Sequence, residues 1–262
     1  MEWVDLPAGV SDAVLAEAGP VREVVPVEGG LTCWLAAGLT TVEGRRWFVK
    51  GCPESDERAW MSMRSERLVY PMLGGVGPDF GWIVRRVAGW EVMAYDWVDG
   101  RHADLGPGSP DLPLVAEVLL RAQEIGVPHY VPISTVGQML RQYLDTAEAD
   151  LLHGDTLLHT DTNQHNLLVG DSRAWMVDWA MAAKGPAWVD VAYTAVRLME
   201  ADTPAEAALG WAAQFPSWRR ADPAAVAAFV VGLCRQWEAQ VGPVDCVPSN
   251  RRFGALLAAV RA

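Results

Sequence analysis

Three side chains, Asp161, Asn166 and Asp178, have the types and the spacing that a phosphoryl-transfer site requires. In such a site one aspartate accepts the proton of the attacking hydroxyl, an asparagine five residues later holds a metal ion, and a second aspartate bridges that ion to the phosphates of a nucleotide. Two short apolar runs, 166–169 and 174–177, flank a Gly-Asp-Ser turn and predict a β-hairpin. The hairpin would bring Asn166 and Asp178 to one end, close enough to share a cation. We therefore expect Asp161 to be the catalytic base and Asn166 and Asp178 to hold Mg²⁺.

Asp161 belongs to the sequence His159-Thr160-Asp161. A second His-x-Asp sequence, His153-Gly154-Asp155, lies six residues upstream of it and offers an alternative catalytic loop. Its spacing argues against it, because the position five residues after Asp155 is Thr160, a poor magnesium ligand, and no hairpin begins there. We interpret Gly154 as the C-terminal cap of the preceding helix. Asp155 then lies in a connector, and we expect it to be dispensable for chemistry.

The chain resembles the aminoglycoside phosphotransferases and their choline-kinase-like relatives, which are small-molecule kinases with the protein-kinase fold. The resemblance rests on the catalytic loop, the second aspartate and a later segment that contains another aspartate: Leu158-His159-Thr160-Asp161 with Asn166, Val177-Asp178-Trp179, and 185–192. It extends upstream to Lys50 and Glu66 and so covers most of the chain. Thr160 stands where the family more often has glycine, and this departure concerns the conformation of the loop.

This resemblance implies an α+β, two-lobed, protein-kinase-like fold. Residues 1–97 would form an N-terminal lobe with the hinge, rich in β-strands with one helix, that covers the nucleotide. Residues 98–262 would form a mainly helical lobe for catalysis and acceptor binding. The backbone near Ala94, Tyr95 and Trp97 would meet the adenine edge.

Lys50 and Glu66 are the residues that we expect to hold the nucleotide phosphates. Lys50 ends the predicted third strand, 45–50, directly after the apolar residues Trp47-Phe48-Val49, and a kinase needs a positive charge at that place for the α- and β-phosphates. A surface lysine at a strand end is the alternative. Glu66 lies in a predicted helix over 55–70, beside aliphatic residues, and would pair with Lys50, with Glu57 as its competitor.

Gly29 and Gly30 lie between the first two predicted strands, 21–27 and 31–38, where backbone amides could approach the triphosphate. Two consecutive glycines are more often a plain hairpin turn. No Gly-x-x-x-x-Gly-Lys-Ser/Thr sequence occurs, so nothing indicates a P-loop.

Helix signals dominate the second half of the sequence. Thr135 and Gln138 form a capping box ahead of an amphipathic segment that reaches Leu152, and Asp222-Pro223 starts another helix. Only twelve positions separate Asp178 from Asp190, which is too short for the activation segment of a protein kinase and favours a small-molecule acceptor. We expect Asp190 to support the catalytic loop through hydrogen bonds.

Composition and charge limit the partners and the compartment. Of the 262 residues 51% are hydrophobic, so a substantial core is expected. The net charge of −12 opposes binding to nucleic acid and suits a cationic small molecule, although a solvated acidic surface explains it equally well. The start lacks a secretory signal, the longest apolar run, 224–234, is too short to cross a bilayer, and the four cysteines form no metal or disulfide pattern. We expect a cytoplasmic protein without membrane contact, monomeric or weakly dimeric.

The sequence thus predicts a phosphotransferase that uses ATP (or GTP) and Mg²⁺ to phosphorylate a hydroxyl group of a small molecule. An antibiotic is the favoured acceptor, as an aminoglycoside, a nucleoside or a peptide, which would make the activity a resistance mechanism. Two alternatives remain open. One is a kinase of an ordinary metabolite such as an amino alcohol or a sugar, and the other is a nucleotide-binding scaffold without catalysis.

Overall fold

The computed structural model describes residues 3–27 and 33–260. The chain divides into two compact units, the first made of Met1–Asp99 with Val177–Met181 and the second of Gly100–Met176 with Ala182–Ala262. The lobes expected from the sequence divide between positions 97 and 98, whereas the first unit runs to Asp99 and also takes in the short segment Val177–Met181.

The first unit is built on a five-stranded antiparallel sheet in the order β1-β2-β3-β5-β4. Its strands and helices are α1 (Ala8–Ala18), β1 (Val21–Pro26), β2 (Leu35–Thr41), β3 (Arg46–Pro53), α2 (Glu57–Val69), β4 (Phe80–Val87) and β5 (Trp90–Asp96). Helix α1 was not predicted, because Pro7 and Gly19 bound a short, alanine-rich segment that carries little polar-apolar contrast. Strand β3 continues past its predicted end, so Lys50 lies inside the strand.

The second unit is mainly helical and contains two small sheets, β6-β8-β9 and β10-β7. Its elements are β6 (Arg101–His102), α3 (Leu112–Ala122), α4 (Val136–Leu140), α5 (Thr146–Asp150), β7 (Thr156–Leu158), β8 (Leu167–Val169), β9 (Ala174–Met176), β10 (Ala183–Gly185), α6 (Val189–Glu200), α7 (Ala205–Ala212), α8 (Pro216–Arg219), α9 (Pro223–Val241) and α10 (Val247–Val260). The predicted hairpin is present as β8 and β9, with Leu167 opposite Met176 and Val169 opposite Ala174.

Two predicted features of the second unit need correction. The capping box of Thr135 and Gln138 is present, but α4 ends at Leu140, and a second capping box, Asp145 with Glu148, begins α5. Two short helices therefore replace the expected long one.

Gly154 is the other correction, because it is not a helix cap. A Cβ at Gly154 would lie 2.3 Å from the carbonyl carbon of Gly185, so the position needs glycine for a close backbone approach. Asp155 beside it is exposed and lies 3.8 Å from Lys184 Nζ.

Over the two ranges that the structure describes, every helix is too short or too polar to span a membrane.

Candidate active site

A buried lysine cluster, made of Lys50, Glu66 and Asp178, lies in the first unit. Lys50 is 5% exposed, and its Nζ forms ion pairs with Glu66 Oε2 and, at 3.1 Å, with Asp178 Oδ1. The Glu66 side chain is buried, whereas that of Asp178 is 38% exposed. A buried ammonium remains charged only beside opposite charges or good acceptors, and this cluster supplies two carboxylates. Lys50 is therefore held from two different segments of the chain.

The alternation of β3 directs Lys50 away from the main apolar core of the unit. Trp47 and Val49 belong to the core that includes α1, so Lys50, one position later, points to the opposite face of the sheet. Helix α2, which carries Glu66, packs against β3 and against the 3-10 turn Trp179–Met181. Trp179 is fully buried, which fixes the turn next to Asp178.

Charge and burial shift the ionisation of the lysine cluster. Burial lowers the pKa of Lys50, but the charges of Glu66 and Asp178 outweigh it, so the pKa lies above the usual value for lysine. Burial raises the pKa of Glu66, Lys50 opposes this shift, and Asp178 adds to it. When all three groups are ionised, one ammonium faces two carboxylates, and the cluster favours a further cation near Asp178, its exposed member.

The second unit contains an aspartate cluster, made of Asp161, Asn163, Asn166 and Arg197. Asp161 Oδ1 accepts hydrogen bonds from Asn163 Nδ2 at 2.9 Å and from Arg197 Nη2 at 3.2 Å. Asn166 Nδ2 donates to Asp161 Oδ2 at 3.1 Å and to the Asp161 carbonyl oxygen at 3.0 Å. Because the amide nitrogen of Asn166 faces Asp161, its amide oxygen points away from that carboxylate.

Asp190, in the first turn of α6, holds the loop that precedes Asp161. Its carboxylate accepts hydrogen bonds from the backbone amides of His159 at 2.7 Å and Thr160 at 2.9 Å. Burial raises the pKa of the Asp190 carboxyl, while these two amides oppose the shift. One turn later, Thr194 Oγ1 lies 2.8 Å from Thr162 Oγ1. Asp190 therefore supports the loop by binding its backbone.

Thr160 has a left-handed backbone with a φ of 62°. Glycine adopts this conformation freely, whereas a residue with a Cβ pays on the order of 1–2 kcal/mol. The bond from the Thr160 amide to buried Asp190 is one of the contacts that hold the strained loop. The replacement of glycine by threonine thus affects the conformation of the loop, and the threonine side chain itself is buried.

Residues 119–224 match the phosphotransferase enzyme family. This matched segment contains the whole aspartate cluster together with Asp178 and Asp190. The match covers less than half of the chain and agrees with the family resemblance that the sequence indicates. No curated protein matches the chain significantly.

Solved structures of phosphotransferases with different acceptors have the same fold as this chain. A thermostable mutant of aminoglycoside phosphotransferase APH(4)-Ia, in a ternary complex with ADP and hygromycin B, is 15% identical with a TM-score of 0.63, and the alignment covers 97% of this chain and 100% of that one. Macrolide 2'-phosphotransferase MphH from Brachybacterium faecium is 19% identical with a TM-score of 0.56, covering 94% and 95%. Choline kinase LicA from Streptococcus pneumoniae is 13% identical with a TM-score of 0.62, covering 95% and 98%. These similarities confirm the expected kinase-like α+β fold.

The residues expected at the adenine of a phosphotransferase lie in β5 and just beyond it. Ala94 and Tyr95 are buried in the strand, which pairs with β3 on one side and β4 on the other. Trp97 donates its backbone amide to the carbonyl of Arg46 at 3.2 Å, and its ring packs against Gly38, where a Cβ would lie 2.6 Å from the ring. Contact of these residues with adenine stays a prediction.

Two other predicted positions have different outcomes. The Tyr95 hydroxyl donates to Met93 Sδ at 3.6 Å and also opposes the rise of the Glu66 pKa, so Tyr95 lies beside the lysine cluster in a way that the sequence did not indicate. Gly29 and Gly30 lie outside the described residues, and their approach to the triphosphate stays a prediction.

Arg197 and Asn163 are the members of the aspartate cluster that the sequence analysis missed. Arg197 also pairs with Glu200 at 2.7 Å. Burial lowers the pKa of Arg197, but the hydrogen bond and charge of Glu200 and the charge of Asp161 raise it more. A signal was present for Arg197, because positions 190, 194 and 197 share one face of a helix and all three contact the catalytic loop. Asn163 had no comparable signal.

Proposed function

We propose that this phosphotransferase transfers the γ-phosphoryl group of ATP or GTP to an alcohol hydroxyl of a small molecule. The observation that carries the proposal is the aspartate cluster, in which three donors fix the Asp161 carboxylate five residues before Asn166. The complex of APH(4)-Ia with ADP supports a nucleotide as the phosphoryl donor. A scaffold without catalysis would not need a fixed carboxylate of this kind.

Lys50 would bind the α- and β-phosphates. Its ammonium is buried and already paired with Glu66 and Asp178, so it is oriented before the nucleotide arrives. A preoriented charge stabilises developing negative charge without the cost of reorganising water. Glu66 would act through Lys50, and Tyr95 would hold Glu66 in turn.

Asn166 and Asp178 fit the role of magnesium ligands. Asp178 offers a partly exposed carboxylate, and Asn166 offers an amide oxygen turned away from Asp161. Mg²⁺ prefers oxygen and is often held by one or two protein groups together with phosphates and water. Within residues 3–27 and 33–260 no three His, Cys, Asp or Glu side chains form a metal site by themselves, which suits an ion that enters with its nucleotide. Such an ion supplies positive charge to the phosphates during transfer.

Asp161 would orient the acceptor hydroxyl and receive its proton as the new oxygen–phosphorus bond forms. Proton acceptance by a positioned carboxylate needs a fixed direction of approach more than a strong base, because the transition state of phosphoryl transfer is loose. The donors Asn163 and Arg197 on one oxygen, and Asn166 on the other, supply that direction.

An antibiotic with hydroxyl groups is the acceptor that we favour, and a cationic aminoglycoside leads that class. The net charge of −12 suits a cation, and the complex of APH(4)-Ia with hygromycin B provides a precedent on the same fold. The similarity to choline kinase LicA supports a second candidate, a cationic amino alcohol of ordinary metabolism.

A panel of acceptors tests the proposal. Purified protein is mixed with Mg-ATP or Mg-GTP and, separately, with aminoglycosides, macrolides, nucleoside and peptide antibiotics, amino alcohols and sugars. We expect at least one compound to gain the mass of a phosphoryl group with equal release of nucleoside diphosphate. Efficient phosphorylation of an amino alcohol or a sugar alone would contradict the antibiotic assignment, and no product with any hydroxylated compound would contradict the kinase.

A further inference from the structure

Asn163 makes three hydrogen bonds that connect the Asp161 carboxylate to the turn that carries Asn166. Its Nδ2 donates to Asp161 Oδ1 at 2.9 Å, and its Oδ1 accepts the backbone amide of His165 at 2.8 Å. Its carbonyl oxygen accepts the backbone amide of Asn166 at 3.0 Å. One residue therefore contacts both the proposed base and the turn that carries the proposed metal ligand.

These bonds restrict the rotation of the Asp161 carboxylate. Asn166 Nδ2 already binds both Oδ2 and the carbonyl oxygen of Asp161, so the bond from Asn163 to Oδ1 fixes the second oxygen. Arg197 reaches the same Oδ1 at 3.2 Å from α6 on a long side chain, whereas Asn163 lies two residues away on a short one. A short side chain bound at both ends of its amide loses little further freedom and sets direction more tightly than a long one.

We propose that Asn163 is a positioning residue, which sets the plane of the Asp161 carboxylate relative to Asn166. The proposal rests on the proposed function, in which Asp161 receives the proton of the acceptor. In this arrangement Asn163 does not touch the acceptor or the phosphates. It acts through Asp161, so its loss should slow the transfer step and leave the affinity for nucleotide largely intact.

The residue type separates this role from simple capping of the turn. Asn163 caps the 3-10 turn Gln164–Asn166 with its amide oxygen. Serine and aspartate cap turns and helices about as well as asparagine. An asparagine amide, however, carries its acceptor and its donor on two separate atoms, so Oδ1 can face the turn while Nδ2 reaches Asp161; serine has a single oxygen for both contacts, and an ionised aspartate has no donor. Capping alone therefore predicts that serine or aspartate will serve, whereas positioning predicts that neither will.

Two variants use this difference. Asn163→Ser keeps a capping oxygen and removes the separate nitrogen that reaches Asp161, because the single hydroxyl on a shorter side chain replaces both polar atoms of the amide. Asn163→Asp also keeps the cap, and it places a second carboxylate against Asp161 Oδ1. With an acceptor from the panel, we expect kcat to fall about 10- to 100-fold for Asn163→Ser, the size of effect that small errors in position produce. The fall should be greater for Asn163→Asp, because the two like charges push the carboxylates apart.

The Michaelis constant for the nucleotide and the midpoint of thermal unfolding should stay near those of the parent in Asn163→Ser. The matched control is Asp145→Ser, which changes another capping residue of the second unit; its carboxylate accepts the amide of Glu148 at 2.8 Å and is not part of the aspartate cluster. We expect this control to keep the parent kcat.

A double variant tests whether Asn163 acts through Asp161. In an Asp161→Asn background, Asn163→Ser should lower the remaining rate by less than about two-fold, because the effect needs the carboxylate. A crystal structure of Asn163→Ser should show a rotated Asp161 carboxylate, a readout that does not depend on knowing the acceptor.

The proposal is overturned by parent-like kcat in both single variants, by a loss confined to nucleotide affinity, or by an unchanged Asp161 orientation in the variant crystal. Absence of turnover in the parent would count against the proposed function instead, and the crystal structure would still decide the role of Asn163.

Discussion

Asp161 and Asp155 carry the same functional group within six positions of each other, and their surroundings separate them. Asp161 accepts hydrogen bonds from three side chains of the aspartate cluster. Asp155 is 77% exposed at its side chain and has one long contact, at 3.8 Å, to Lys184. The chemistry of a carboxylate therefore depends here on how firmly its neighbours fix it.

We predict that Asp161→Asn will lower kcat by about 10²- to 10⁴-fold, the usual contribution of a general base, and leave the dissociation constant for Mg-ATP near that of the parent. Asp155→Asn is the control and should keep at least about half of the parent kcat, as surface changes usually do. Steady-state kinetics and calorimetry measure both. The opposite ranking of the two variants would mean that the His153-Gly154-Asp155 sequence is the catalytic loop.

A second prediction concerns Asp178. Asp178→Ala should abolish magnesium-dependent binding of ATP, because it removes the exposed carboxylate of the lysine cluster. Asn166→Ala should weaken that binding less, since a neutral amide oxygen contributes less to holding a divalent ion. Calorimetric titration with ATP, with and without Mg²⁺, measures the difference. Parent-like affinity of Asp178→Ala for Mg-ATP would contradict its assignment as a metal ligand.

At the scale of elements, α6 shows how one helix can support a loop. Asp190, Thr194 and Arg197 lie on one face and contact the start of the loop, Thr162 and the proposed catalytic residue Asp161, respectively. The lysine cluster depends in the same way on α2, which packs against both β3 and the turn that follows Asp178. Neither support needs a side chain that takes part in the reaction.

Two glycines in different settings provide a prediction about stability. Gly154→Ala should lower the free energy of unfolding by about 3 kcal/mol or more, because its Cβ would lie 2.3 Å from backbone atoms that cannot move aside. Gly210→Ala is the matched control. It lies in α7 with no atom near its Cβ, and should raise the free energy of unfolding by about 0.5–1 kcal/mol through helix propensity. Urea denaturation of both variants measures the two changes in the free energy of unfolding. Equal changes in the two variants would contradict the close backbone approach at Gly154.

The ion pair between Arg101 and Asp111 predicts a dependence of stability on pH. Arg101 Nη2 lies 2.7 Å from Asp111 Oδ1, and the amide of Asp104 donates to Asp111 Oδ2 at 2.8 Å. The hydrogen bond from Arg101 holds the pKa of Asp111 below its usual value. The stabilisation is therefore complete above the pKa of an unfolded aspartate, near 4, and is lost as the pH falls through the lower pKa of the folded protein.

Asp111→Asn should accordingly unfold at a lower temperature than the parent at pH 7. The difference should shrink as the pH falls below about 4, where Asp111 of the unfolded parent begins to take up a proton while that of the folded parent is still ionised. Calorimetric scans from pH 7 to pH 3 measure this. A difference that stays constant over that range would mean that the charge of Asp111 contributes nothing.

For the whole molecule, the net charge of −12 predicts a response to salt. If the acceptor is a cation, its Michaelis constant should rise several-fold between low and high ionic strength, because salt screens the long-range attraction. The same constant for a neutral acceptor should hardly change. Kinetics at 20 and 500 mM salt, with one cationic and one neutral acceptor of the panel, measure the contrast. A salt-insensitive cationic acceptor would show that the charge of the protein plays no part in recognition.

Local patterns determined which parts of this architecture could be predicted. The spacing of Asp161 and Asn166, the β8–β9 hairpin and the pairing of Lys50 with Glu66 follow from short segments or from a family pattern, and the structure contains them. The contact of Arg197 with Asp161 joins positions 36 residues apart, and that of Tyr95 with Glu66 joins a strand to a helix. Such contacts arise when whole elements pack. The helical spacing of Arg197 from Asp190 was a local signal for the first contact, and no local spacing indicated the second.

Helix boundaries failed for a related reason. The amphipathic pattern after Thr135 continues through Leu140 and Leu144 to Leu152, yet the chain breaks it into α4 and α5. All three leucines are buried, although Leu140 ends α4, Leu144 lies between the two helices and Leu152 follows α5. The apolar spacing therefore predicted burial correctly, and the prediction of one continuous helix was wrong. The second capping box, Asp145 with Glu148, was the local signal of the break.

The return of Val177–Met181 to the first unit has a consequence for dissecting the protein. A fragment that ends at Asp99 would lack Val177–Met181, which includes the turn Trp179–Met181 that packs against α2 and the fully buried indole of Trp179. It would also leave Lys50 and Glu66 without Asp178. We therefore expect the amino-terminal hundred residues not to fold autonomously, and during synthesis to complete their native packing only after a stretch made some eighty residues later has emerged.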